Sequence, residues 1–185
     1  MSEPIYVIVG KEESLVNAKC QELLDHLLDP EDRMTGLLSL EGTQASISDV
    51  LDELRTAPFL TGRRVVVVKG ADDFVSKNRS ALEKYFEKPS PTGVLVMTVG
   101  SWSKQTKLAK KLPKAGKLIE VAKPKRHELS RHLIEYAQRT SGKRLDRPAA
   151  AMLVELMGEE LTQLYNEVDK LALFARDEKT ITAGH

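Results

Sequence analysis

Four consecutive valines, Val65 to Val68, stand directly behind Arg63 and Arg64, and no other stretch of the chain restricts its fold so tightly. A strand with one wet face alternates apolar and polar residues. Four β-branched side chains in a row suit a strand covered on both faces, which is the position of a central strand in a parallel sheet. Similar runs recur at Ile5 to Val9, ended by Gly10, and at Val94 to Val99; shorter strand candidates lie at Leu37 to Leu40 and Leu118 to Val121. Between them the apolar spacing becomes helical. Glu13 to Leu28 carries Leu15, Val16, Leu23, Leu24 and Leu27; a helix capped by Ser46 or Ser48 carries Val50, Leu51 and Leu54 and is stopped by Pro58. Ser76 to Lys88 reads as a helix broken by Pro89 and Pro91, and Lys104 to Leu112 as a short basic one. Parallel neighbours need crossover connections, so this alternation predicts an α/β domain with helices on both faces of the sheet.

From Lys125 onward the strand pattern stops. Leu129, Leu133 and Tyr136 mark one helix, Ala150, Leu153, Val154 and Met157 a second, and Leu161, Leu164, Tyr165, Val168, Leu171, Ala172 and Ala175 a third. The second helix is clearly punctuated: Asp146 is placed to cap it, Pro148 suits its first turn, and Gly158 follows its end. The chain therefore divides into an α/β domain over residues 1–122 and a helical domain over 123–185. At 185 residues and 41% hydrophobic content it can bury one good core and a small second one. A single cysteine, Cys20, on an apolar helix pattern, fits a reducing compartment. There is no leader pattern and no apolar run of about 18 residues, which places the chain in the cytoplasm and away from a membrane.

An α/β domain followed by a small helical one is the plan of an AAA+ ATPase, so the nucleotide motif is the feature to test. A phosphate-binding loop needs Gly-x4-Gly-Lys-Ser/Thr, because backbone N–H groups cradle phosphate, Lys meets the outer phosphates and the hydroxyl holds magnesium. After the first strand the chain offers Gly10-Lys11, but the leading glycine is replaced by Ile5. The hydroxyl position is Glu12, followed by Glu13, and two carboxylates there repel phosphate. Behind the valine strand, Lys69 takes the place of a magnesium-holding acid, and Asp72 and Asp73 read as a turn that starts the next helix. His127 and His132 are five apart, so on a helix they diverge by roughly 140° and cannot share a zinc; both read as surface histidines. No nucleophile, paired-carboxylate or metal-ligating constellation remains, and neither a catalytic residue nor a cofactor or metal site is expected.

Two features survive. From Lys104 to Arg126 there are nine basic residues against one acid, Glu120, although the net charge of the whole chain is only +1. Lys104, Lys107, Lys110 and Lys111 are either a solvated face or sequence-independent phosphate contacts. The other feature is the block Thr56-Ala57-Pro58-Phe59-Leu60-Thr61-Gly62-Arg63-Arg64. Pro58 ends a helix and Thr61-Gly62 reads as a turn, so Phe59 and Leu60 lie either in an exposed loop or tucked locally under the sheet.

The order of four motifs resembles the bacterial DNA polymerase III delta subunit family. They are Pro4-Ile5-Tyr6-Val7-Ile8-Val9-Gly10 with its acidic sequel, the Pro58-Phe59-Leu60 block leading to Arg63-Arg64 and the valines, Leu82-x-x-Tyr85 ahead of Pro89-x-Pro91-Thr92, and Glu167-Val168-x-Lys170-Leu171. The resemblance implies an AAA+-like sheet domain with a degenerate nucleotide site, followed by a three-helix lid. It also implies a further helical collar domain beyond His185. The implied function is that of a clamp-loader subunit that binds and opens the sliding clamp during replication without hydrolysing ATP. Its implied partners are the clamp, the other loader subunits in a hetero-pentamer and, weakly or indirectly, primed DNA. Phe59 and Leu60, with Pro58 beside them, are then the apolar plug that enters the clamp. A divergent AAA+ ATPase and a lysine-based DNA-binding module are the alternatives.

Overall fold

The computed structural model describes residues 3–57 and 62–185. The chain forms two compact units, Met1–Ala122 and Lys123–His185.

The first unit is built on five parallel strands: β1 (Ile5–Val9), β2 (Leu37–Glu41), β3 (Arg64–Lys69), β4 (Gly93–Val99) and β5 (Lys117–Glu120), in the order β2-β3-β4-β1-β5. The valine run is part of β3, between β2 and β4, and all four valines are inaccessible to solvent. Successive side chains on a strand point to opposite faces, and the run divides accordingly. Val66 and Val68 join one core with Ile5, Val7, Leu95 and Met97, whereas Val65 and Val67 join another with Tyr6, Ile8, Val94 and Val96. Helix α1 (Glu13–Leu27) covers the second face through Val16, Cys20, Leu24 and Leu27. Burial pushes the Cys20 thiol pKa up, so it behaves as a small apolar group.

A short helix α2 (Arg33–Gly36) precedes β2. The first face is covered by α3 (Ile47–Arg55), α4 (Asp72–Lys77), α5 (Arg79–Glu87) and α6 (Lys107–Ala115), through Val50, Leu54, Phe74, Leu82, Phe86 and Leu108. Several boundaries differ from the sequence reading. The helix expected over Ser76 to Lys88 is two helices, divided at Asn78, whose side-chain amide and backbone N–H both donate to the Phe74 carbonyl, at 2.9 and 3.0 Å. The basic helix begins at Lys107 rather than Lys104, because the Thr106 hydroxyl accepts from the Ala109 N–H and so caps it there. Ser46 is the N-cap residue of α3, yet its hydroxyl meets that of Ser48, not a helix amide. The helix ends at Arg55, before Pro58.

The second unit packs α7 (Arg126–Ser141), α8 (Arg147–Met157) and α9 (Leu161–Phe174) around Leu129, Leu133, Ala150, Leu153, Leu164 and Val168. Asp146 caps α8 by accepting from the Ala149 N–H at 2.7 Å. A two-residue parallel pair, β6 (Arg144–Leu145) with β7 (Thr180–Ile181), was not expected from the sequence. His132, read as a surface histidine, is half-buried: its Nε2 hydrogen-bonds the Tyr165 hydroxyl, and Tyr165 stacks on Tyr136 at a centroid distance of 4.0 Å. Tyr136 donates to Asp169 at 2.9 Å, and burial together with that carboxylate pushes its pKa up to about 12.

Burial, and after it the Arg139 charge, holds the His132 pKa below its ordinary 6.5, while Glu135 opposes them. The fold thus prefers neutral imidazole. Its contribution is complete above the unfolded-state pKa and is lost as pH falls through the depressed folded value. Thermal melts between about pH 7.5 and pH 5 should show stability falling on the acid side, and His132→Gln should flatten that dependence; an equal slope in the variant would refute the assignment. Gly116 gives a second expectation. A Cβ there would lie 2.0 Å from the Ile5 carbonyl oxygen, so the turn from α6 into β5 runs too close to β1 for any side chain. Gly116→Ala is expected to lower unfolding free energy by about 1–3 kcal/mol in urea titration.

Candidate functional site

In an open parallel sheet, ligands bind beyond the carboxyl ends of the strands, where successive connections leave in opposite directions. Here that point lies between β1, whose connection runs toward β2, and β4, whose connection runs toward β5. A crevice of about 360 Å³ opens there. Lys11 and Glu13 line it from the start of α1, Glu41 from the end of β2, Lys69 from the end of β3 and Thr98 from the end of β4.

Several of the groups around this position are engaged within the protein or carry the wrong charge for a phosphate. The Gly10 N–H donates to the Val99 carbonyl at 3.0 Å. Glu12 is the N-cap residue of α1 and Glu13 lies in its first turn, so carboxylates already occupy the positive end of the helix dipole. Lys69 closes β3 where an acid would hold magnesium, and its carbonyl accepts from the Gly42 N–H at 2.6 Å.

Thr98 and Asp72 are the two residues whose work the sequence reading missed. Thr98 is the one buried polar residue among those described. Its hydroxyl accepts from the Gly70 N–H at 3.0 Å and its carbonyl from the Ala71 N–H at 2.7 Å. Gly70 sits at φ +56, a left-handed conformation that a β-branched or bulky residue avoids. Asp72 does begin a helix, as its turn pattern suggests. Its carboxylate also accepts from the Gly100 and Ser101 N–H groups at 2.9 and 3.2 Å, pinning the loop after β4 to the start of α4. Among the described residues no group of three or more His, Cys, Asp or Glu side chains is disposed to hold a metal ion.

The other candidate residues lie elsewhere. Pro58, Phe59 and Leu60 fall outside the described residues, but both flanks of their segment are placed. Arg55 ends α3, and the Arg64 N–H, at the start of β3, donates to the Thr92 carbonyl at 2.9 Å. The half-buried Arg64 guanidinium pairs with Glu53 of α3 and donates to the Thr35 carbonyl of α2. The flanks of the segment, the end of α3 and the start of β3, therefore stand at the amino ends of the strands, opposite the crevice. In the basic stretch, Lys104 pairs with Glu120 at 2.8 Å and Lys111 with Glu87 at 2.7 Å. Lys107, Lys110 and Lys114 are exposed on α6, with no ion-pair partner among the described residues.

The family model described as DNA polymerase III, delta subunit, matches residues 6–122. The DNA polymerase III subunit delta of Bacillus subtilis (strain 168) is 26% identical over 189 residues, covering 97% of this chain and 54% of that protein. The solved structure of the Bacillus subtilis DNA clamp loader delta protein superposes with a TM-score of 0.71 at 27% identity, covering 98% of this chain and 56% of that one. The chain thus spans about half the length of the relatives it matches. The parallel five-stranded sheet and this structural likeness make the fold AAA+-like.

If Thr98 is the brace of the crevice, Thr98→Val should leave the Gly70 N–H without its acceptor and cost about 1–3 kcal/mol of stability. Thr98→Ser should restore most of it, and Lys11→Ala should be close to neutral. Urea unfolding followed by circular dichroism reads all three, and a fully stable Thr98→Val protein would refute the role.

Proposed function

Because the chain belongs to the DNA polymerase III delta-subunit family, we propose that it is the clamp-binding arm of a bacterial clamp loader. It engages and opens the sliding clamp and does not itself hydrolyse ATP. One observation supports the second half of this reading: at the switch point of an AAA+-like sheet, the Gly10 and Gly70 amides and the Thr98 hydroxyl are bonded within the fold, and Glu12 and Glu13 stand at the start of α1 where phosphate would have to bind. The bonds at that end, in this reading, brace the domain, and the crevice does not cycle with nucleotide. In this reading residues 1–122 meet the clamp and residues 123–185 form the lid, acting with the other loader subunits on primed DNA in the cytoplasm. Among the described residues no helix is long and apolar enough to cross a membrane.

Phe59 and Leu60, with Pro58 beside them, are the proposed plug. Two large apolar side chains close together in sequence, between α3 and β3, make an effective anchor for a partner's pocket. The exposed Lys107, Lys110 and Lys114 support a second, weaker contact with DNA phosphates, indifferent to sequence and sensitive to salt. Lys104 and Lys111 contribute less, being engaged by Glu120 and Glu87.

The double substitution Phe59→Ala with Leu60→Ala should weaken binding to the cognate sliding clamp by roughly 2–4 kcal/mol and leave the melting temperature unchanged. A large drop in melting temperature would mark Phe59 as core. Unchanged affinity would remove the pair from the interface.

A further inference from the structure

Beside the described flanks of the segment holding Phe59 and Leu60 lies a groove of about 550 Å³ between the end of α3 and the end of α5. Its floor is apolar, with Leu51, Tyr85 and Pro89 among the residues lining it, and its charged lining residues are Arg55, Lys84 and Lys88. None of the described lining residues is acidic.

The three cations are only partly balanced: Lys84 shares the field of Glu87 with Lys111. Lys84 and Lys88 are exposed and have no ion-pair partner among the described residues. Arg55 has only Asp52, at 3.9 Å, with both side chains largely exposed. The nearby Glu87 is held by Lys111 at 2.7 Å. Lys84 and Lys88 are also four residues apart at the end of one helix, where like charges repel mildly. The groove is concave, apolar at its base and positive along its margin, complementary to a segment that presents apolar side chains and carboxylates together.

The groove is also rigidly placed. The Tyr85 hydroxyl accepts from the Ser90 N–H at 3.3 Å, and the Ser90 hydroxyl accepts from the Gly93 N–H at 3.2 Å, fixing the turn from α5 into β4. Arg55, on the groove margin, precedes the plug segment, and Arg64, which follows it, is bonded to Thr92 just past Pro91. Both described flanks of that segment therefore stand alongside the groove.

We propose that this groove is a second docking site for the sliding clamp and receives an acidic segment of the clamp surface next to the pocket that takes the plug. The proposal rests on the clamp-binding reading above. It assigns Arg55, Lys84 and Lys88 to the association step and to its salt dependence, and leaves the apolar anchor to Phe59 and Leu60.

The experiment titrates the cognate sliding clamp with four proteins at several salt concentrations: wild type, Phe59→Ala/Leu60→Ala, Lys84→Glu/Lys88→Glu, and a charge-matched control, Lys123→Glu/Lys179→Glu, on the second unit. The groove reversal should weaken binding roughly tenfold at low salt. Its deficit should shrink as salt rises, its melting temperature should stay unchanged, and the control should match wild type. Lys84→Gln/Lys88→Gln should show a smaller loss in the same direction, and it replaces the reversal if that variant is destabilised. Wild-type affinity in the groove variants, or an equal loss in the control, would overturn the groove while leaving the plug standing. No clamp binding by wild type would overturn both.

Discussion

The architecture depends on one constraint: β3 and β4 are covered on both faces and must satisfy every backbone group from neighbouring strands. Burying an unpaired amide is costly, so β3 has to lie between β2 and β4, and β4 between β3 and β1. All these pairings are parallel, so each connection has to cross a face of the sheet, and the crossing helices supply the apolar cover that the valines require. The same connections bring Gly10, Gly70 and Thr98 together at one end of the sheet and the flanks of residues 58–61 to the other.

The two ends differ in chemistry. At the carboxyl end, polar groups are turned inward and matched: the Thr98 hydroxyl to Gly70, the Asp72 carboxylate to Gly100 and Ser101, the Gly10 amide to Val99. At the amino end Arg64 joins α2, α3 and β3, and Lys84 and Lys88 stand exposed at the end of α5. In the proposed reading the first end serves cohesion and the second recognition.

What the sequence made legible was what depends on neighbours along the chain. The valine run, the capping aspartate Asp146 and the loss of the phosphate-loop residues can all be read within a few positions. The misses are long-range. Thr98 and Asp72 act across 28 or 29 residues and His132 finds Tyr165 across 33, distances over which periodicity carries no information. The break at Asn78 escaped because apolar spacing continues through it from Phe74 to Leu82, and only the side-chain bond to the Phe74 carbonyl reveals the stop. The β6–β7 pair is two residues long and too short for any alternation to show. The proposed plug residues came from resemblance and a local turn pattern, and they lie outside the described residues.

The anchorage of Arg64 has a mechanical consequence. A load applied to the segment before it enters β3 at its first residue, and the strand lies between two parallel partners whose hydrogen bonds cross it at a slant. A pull along the strand loads those bonds together in shear, so they share the force and do not open one at a time. The guanidinium bridge to α2 and α3 adds side bracing at the point of attachment. At that point the first unit would thus meet a pull along β3 as a whole strand held in shear, braced at its first residue.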